Sequence, residues 1–211
     1  MNYNSLVQLR DEQVAGIGPW LWIASDSGAW DGPKDDWETS HVHAIEQHVT
    51  DRRICVQAGG NQGMYPRLLS YMFGNVYTFE PDPLNFYCLT FNCQEDNIFK
   101  MQAALGAERG LARVNRITMN NTGCHTVVTY GECYTPMLTI DSLNLPHCGY
   151  FQLDIECYEI AALHGAVETI ARCKPVIQCE NGNDNITNLL SNFGYEVVGF
   201  SKADTIYKYT K

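Results

Sequence analysis

Apolar and polar residues alternate along this chain with two different periods, and the change of period predicts the elements. Ile54–Ala58 (ICVQA) is a short apolar run closing on glycines and reads as a strand. Residues 62–73 read as a helix with Leu68, Leu69 and Met72 on its apolar face, and 76–79 as a second strand. A helix follows at 83–94, with Pro83 in its first turn, where a missing N–H costs little. A third strand is expected at 98–104, a fourth at 150–155 and a fifth at 175–179. Helices are expected at 160–172 and at 186–193, the latter stopped by Gly194. Two strand-like segments, 196–200 and 205–209, close the pattern.

Strands alternating with helices imply βαβ units and a mostly parallel sheet. The last two strands are joined by only about four residues around Lys202, too few for a parallel crossover. They must form a hairpin, which places one antiparallel strand in an otherwise parallel α/β sheet.

Two regions depart from this rhythm. Residues 111–145 contain two β-like runs, 126–130 and 137–140, which suggest a hairpin inserted over the carboxyl edge of the sheet, where open α/β sheets bind ligands. Residues 16–37, GIGPWLWIASDSGAWDGPKDDW, read as an irregular lid followed by a helix at 38–50 with Val42, Ile45 and Val49 as its buried stripe. The expected organisation is an N-terminal extension or lid over 1–53 and one domain over 54–211, with its β insertion at 111–145.

Charge and cysteine content narrow the function classes. A net charge of −10 and the lack of a basic run disfavour nucleic acid, whose binders normally present a cationic face. A small-molecule or saccharide partner fits better. The nine cysteines are odd in number, with none in a CxxC spacing, as expected for reduced thiols of a cytoplasmic protein. The N-terminal MNYNSLVQLRDEQ has neither the basic nor the apolar stretch of a secretory signal, and no run of about 18 apolar residues predicts a membrane span.

The candidate chemistry lies at strand ends. QAGGNQG, Gln57 to Gly63, joins the first strand to the first helix; Gly59, Gly60 and Gly63 suit a tight turn approached closely by a ligand, with Asn61 between them. FEPDP places Glu80 and Pro81 at the end of the second strand, where an acidic side chain can accept from both hydroxyls of a ribose. This geometry serves NAD, adenosine and S-adenosylmethionine alike. Gln102 and Ala103 end the third strand, Asp154 and Glu156 the fourth, Glu180 and Asn181 the fifth. Asp154, then Glu156 or Glu180, are the candidates to take a proton from an acceptor hydroxyl, with a helix cap as the other reading of Glu156. Asp154, Glu180 and Asn181 also form a tentative all-oxygen metal set; magnesium or calcium would suit it, although no metal is expected. His125, after Asn120-Asn121-Thr122-Gly123, reads by default as a surface-loop histidine, with substrate contact or service as an alternative base as the other reading. Trp20, Trp22 and Trp30 are candidates either for packing or for stacking on a substrate.

In order, VQAGGNQGMY, VYTFEPDPLNFYCLTFNC, AALG, LTIDSL, LDIECYEIAALHGA and VIQCEN resemble the FkbM family of methyltransferases from about residue 54 to 200. The resemblance implies a Rossmann-like class I fold: seven strands, one of them antiparallel near the C-terminus. It implies S-adenosylmethionine as cofactor and O-methylation of sugar-like or natural-product hydroxyls. Gly59, Gly60, Asn61 and Gly63 would cradle the cofactor's amino-acid end and ribose, Glu80 its ribose hydroxyls, and Gln102 and Ala103 its adenine. Two residues depart from the family pattern: Gln57 stands where Asp is usual, and Cys157 where Gly is typical. They keep open a catalytically inactive binding module. An NAD-binding oxidoreductase is the other alternative, opposed by the terminal hairpin and by the Asp-x-Glu after the fourth strand.

Overall fold

The computed structural model describes residues 3–14, 16–27, 35–118, 120–128, 131 and 133–211, without the side chains of 35–41. Trp30 and the last two residues of the strand expected at 126–130 lie outside the described residues. In chain order the elements are β1 (Val7–Arg10), β2 (Trp20–Ile23), α1 (Asp35–His48), β3 (Ile54–Ala58), α2 (Met64–Ser70), β4 (Asn75–Phe79), α3 (Pro83–Asn92), β5 (Ile98–Met101), β6 (Ala104–Leu105) and β7 (Gly110–Asn115). They continue with β8 (Thr126–Val128), β9 (Cys133–Leu138), β10 (Tyr150–Leu153), α4 (Glu159–His164), α5 (Val167–Cys173), β11 (Val176–Glu180), α6 (Asp184–Ser191), β12 (Tyr195–Ser201) and β13 (Asp204–Tyr209).

A seven-stranded sheet, ordered β12-β13-β11-β10-β3-β4-β5, organises the molecule. All its neighbouring pairs are parallel except those made by β13, which runs antiparallel between β11 and β12. The terminal hairpin expected from the short link is therefore present, with Lys202 at its tip in the left-handed region. The central strands are buried on both faces, which explains why β3 is a continuous apolar run rather than an alternating one. One face packs Val56, Phe79, Phe151, Leu153 and Ile177 against Ala162, Leu163, Ile170, Ile186 and Leu190 of α4, α5 and α6. The other packs Cys55, Val76 and Tyr150 against Ile45, Leu69 and Leu89 from α1, α2 and α3, and against Phe73 just after α2. At roughly 25 cal/mol per Å² of apolar area removed from water, burial on both faces is the main stabilising term.

Three expected elements differ, each for a local reason. The helix at 160–172 is two helices, because the chain breaks at Gly165. A Cβ there would lie 2.1 Å from the Gly106 carbonyl oxygen, so the break lets the insertion lie against this helix pair. The strand at 98–104 ends at Met101, and Ala104–Leu105 leaves the main sheet to pair with β9. The insertion is a four-stranded sheet, β6-β9-β7-β8, not a hairpin of its two β-like runs. β7 lies between them and pairs antiparallel with both. Its sequence, GLARVN, conceals it: Leu111 is exposed while Ala112 and Val114 are buried. Ahead of these elements, β1 and β2 form a small antiparallel pair, and Trp20 and Trp22 of β2 are buried with Val14 and Leu68. Among the described residues no helix is long and apolar enough to cross a membrane.

Candidate active site

The carboxyl ends of β3, β4, β10 and β11 meet under the insertion and enclose a cavity of about 180 Å³. Its lining includes Gln57, Gly59, Gly60, Asn61, Glu80, Pro81, Ala103, Asp154, Glu156 and Glu180. Five chain segments far apart in sequence thus bring ten of the predicted residues together. Gly63, Gln102 and Asn181 do not line it. Gly63 (φ 95°) turns toward α3 instead: a Cβ there would sit 2.9 Å from Cys93 Sγ and 3.0 Å from Leu89 Cα. Its role is helix packing, not the cradling expected of it. The carbonyl of Gln102 receives the Thr135 hydroxyl of the insertion. Asn181 is exposed, and its backbone N–H donates to the Ala203 carbonyl.

The glycine loop is shaped by the protein as much as by any ligand. At Gly59 (φ 84°) a Cβ would lie 1.8 Å from the Asp154 carbonyl oxygen, so only glycine allows the end of β3 to abut that of β10. Gln57 is fully buried within a polar ladder across the sheet. Thr78 Oγ1 donates to Gln57 Oε1 (2.5 Å), while Gln57 Nε2 donates to Gln152 Oε1 (3.0 Å) and to the Gly59 carbonyl (2.9 Å). Register aligns these side chains, since Gln57 lies beside Thr78 on one side and Gln152 on the other. Both amide protons of Gln57 are therefore engaged within the protein.

Glu80 is 4% exposed, and each carboxylate oxygen accepts one backbone N–H, from Asp82 (2.8 Å) and from Asn61 (2.7 Å). Burial pushes its carboxyl up to about 7, against those two hydrogen bonds. Each oxygen keeps a lone pair for a further donor.

The acidic groups at the ends of β10 and β11 converge. Asp154, Glu156 and Glu180 each place a carboxylate oxygen within 4.8 Å of the others. Burial, then the charge of Glu180, holds Asp154 well above the usual carboxylate range, and its carboxyl group hydrogen-bonds that of Glu180. Burial and Glu180 push Glu156 up to about 7. Glu156 does not cap the next helix. That helix has no side-chain cap, and the Glu159 carboxylate in its first turn reaches back to accept the Ile155 N–H at 3.0 Å. Glu156 and Cys157 both have positive φ, 54° and 71°. That turn explains why glycine suits position 157, and Cys157 meets it as an exposed, free thiol.

Over this floor lies a roof made by the insertion. Asn121, Thr122, Gly123, Cys124, His125 and Val127 of the insertion line the cavity from above, and Trp22 of β2 from the side. His125 is not a surface-loop residue. Its side chain is 4% exposed, with Nδ1 3.3 Å from Asp82 Oδ2 and Nε2 3.3 Å from the Thr118 carbonyl. Asp82 caps α3 through the Leu84 and Asn85 N–H groups and pairs with Arg116 (2.6 Å). Burial alone would raise the Asp82 carboxyl; the His125 and Arg116 contacts outweigh it and hold the group below the usual range. FEPDP thus supplies a ligand-facing carboxylate, Glu80, and a roof-holding one, Asp82.

Comparison with known proteins agrees with this architecture. The sequence model of the family described as "Methyltransferase FkbM domain" matches residues 57–197, more than half of the chain. The chain belongs to the FkbM methyltransferase family. This family, whose cofactor is S-adenosylmethionine, shares its fold with solved structures of low identity. An FkbM methyltransferase from Methylobacillus flagellatus KT is 18% identical over 75% of this chain and 44% of its own, with a TM-score of 0.51. Precorrin 8W decarboxylase from Methanobacterium thermoautotrophicum is 12% identical over 85% and 92%, with a TM-score of 0.51. Trm5b from Pyrococcus abyssi is 12% identical over 96% and 54%, with a TM-score of 0.53. The chain therefore spans less than half the length of the FkbM structure it matches. No curated protein matches it in sequence.

Proposed function

We propose that this FkbM-family chain binds S-adenosylmethionine in the cavity and transfers its methyl group to a hydroxyl of a sugar-like or other small acceptor. The observation that carries the reading is the sign of the cavity's charge. Glu80, Asp154, Glu156 and Glu180 line it, and no Lys or Arg does so among the described residues. Such a lining suits a ligand with a sulfonium and an ammonium, and opposes the pyrophosphate of NAD, which calls for anion-binding donors. Buried polar atoms of three lining residues, Trp22 Nε1, Asn61 Oδ1 and Asn85 Oδ1, also lack a partner within the protein, as expected where a polar ligand completes the site.

The cofactor supplies an electrophilic methyl. Glu80 holds the ribose hydroxyls with the lone pairs its backbone bonds leave free. Burial and the neighbouring Glu180 carboxylate favour the protonated form of Asp154, and a cationic ligand beside it favours the ionised form. An ionised Asp154, or Glu156 beside it, then takes the acceptor's proton. The three carboxylates also form a donor set for a hard divalent ion.

Incubation with labelled S-adenosylmethionine and a panel of saccharide and phenolic hydroxyls tests the reaction, with and without magnesium. Label transfer that is abolished by Asp154→Asn supports it. Tight cofactor binding without transfer to any acceptor favours the binding-module reading, which the full engagement of Gln57 in the sheet supports.

A further inference from the structure

Residues 20–26 lie outside the segment matched to the family, yet Trp22 among them lines the cavity. Asp26 is 2% exposed, and no cation pairs with it among the described residues. Its carboxylate accepts from Gln62 Nε2 (2.6 Å), from the Thr122 backbone N–H (3.1 Å) and from Thr122 Oγ1 (3.1 Å). Gln62 belongs to the glycine loop and Thr122 to the roof, and both line the cavity. Gln62 closes the circuit: its Oε1 accepts the Ile23 N–H (2.7 Å), and its Nε2 also reaches Thr122 Oγ1 (3.2 Å). Asn92 of α3 binds both the Leu21 backbone and the Gln62 carbonyl, holding this part of the N-terminal segment in place.

We infer that Asp26 is a positioning residue for the ligand cavity: it fastens the insertion's roof to the glycine loop, so the N-terminal segment is part of the site. The inference rests on the cavity being the cofactor site proposed above. A buried carboxylate without a counter-charge is costly, and one held by three donors from two cavity walls is explained by what it joins. Without it, Thr122 N–H loses its acceptor in a buried place and Gln62 Nε2 keeps only Thr122 Oγ1, while the roof retains the Asn85 Nδ2 bond to the Thr122 carbonyl, the Thr126 Oγ1 bond to the Glu156 carbonyl and the contacts of Arg116 and His125 with Asp82. The roof should then open more often while the sheet stays intact.

The test is amide hydrogen exchange on Asp26→Ala, Asp26→Asn and Thr122→Val, with calorimetry against S-adenosylhomocysteine. In Asp26→Ala, residues 120–128 should exchange about tenfold faster while β3 and β4 keep their protection, and affinity should fall about tenfold. Asp26→Asn, which keeps one acceptor oxygen, and Thr122→Val, which removes only the hydroxyl, should give smaller changes of the same sign. Unchanged exchange at 120–128, or equal acceleration in β3 and β4, overturns the inference. A loosened roof with unaltered affinity overturns the positioning role. If the wild-type protein does not bind S-adenosylhomocysteine, the cofactor reading fails, and the exchange comparison still decides whether Asp26 fastens the roof.

Discussion

The floor and the roof of the cavity are built by different physics. The floor is the carboxyl edge of a parallel sheet, where Gly59 lets two strand ends touch and an amide ladder through Gln57 joins three neighbouring strands. The roof has no such continuity. It is a small antiparallel sheet and a loop held down by two buried carboxylates from elsewhere in the chain, Asp82 through Arg116 and His125, and Asp26 through Thr122. The floor derives its shape from close backbone packing and the roof from a few directional bonds. Damage to the floor should therefore be global, and damage to the roof local.

The largest expected effect is at the floor. Gly59→Ala puts a Cβ 1.8 Å from the Asp154 carbonyl oxygen at a positive φ, and should destabilise the fold by about 3 kcal/mol or more in denaturant titration. Arg116→Ala comes next. It leaves Asp82 buried without its ion pair and should cost roughly 2–3 kcal/mol. Because the folded-state value of Asp82 is depressed, that loss should be full at neutral pH and shrink as pH falls through the carboxylate range. Gln57→Asp restores the residue usual in the family. It should nonetheless destabilise by about 2 kcal/mol, since the shorter side chain cannot serve Thr78, Gln152 and Gly59 together. If it stabilises instead, the ladder is not what holds the floor.

The floor's acidity gives a smaller, opposite pH dependence. Glu80 and Glu156 are raised from 4.5 to about 7, so across that range the folded chain keeps protons that the unfolded chain has released. Stability of the ligand-free protein should therefore fall as pH rises from about 4.5 to 7, and thermal melts of Glu80→Gln should show a shallower decline. Smallest of all, Cys157→Gly relieves a positive φ at an exposed site and should raise stability by about 1 kcal/mol.

The same contrast explains what could be read from the sequence. The floor was legible because apolar period, strand-end glycine and strand-end acid are local signals; β3 to α3 and the terminal hairpin all show them. Glu80 and Asp154 followed from their position after a strand. Gly63 misled because a glycine kept for packing against Cys93 and Leu89 is indistinguishable, in sequence, from one kept for a ligand. An insertion over the carboxyl edge was legible, but not its fastenings, because they join distant positions: Asp26 to Thr122, and Asp82 to Arg116. No period marks β7, whose larger apolar residue points outward. His125 could have been found only by asking which buried carboxylate it meets.

The most direct test of the central claim, that this acidic carboxyl-edge cavity is an S-adenosylmethionine site centred on Glu80, is calorimetric titration of S-adenosylhomocysteine and of NAD into the wild-type protein and Glu80→Gln. The account predicts binding of S-adenosylhomocysteine in the micromolar range, weakened about tenfold or more in Glu80→Gln, and no binding of NAD. Binding of NAD in its place, or S-adenosylhomocysteine affinity indifferent to Glu80, would contradict it.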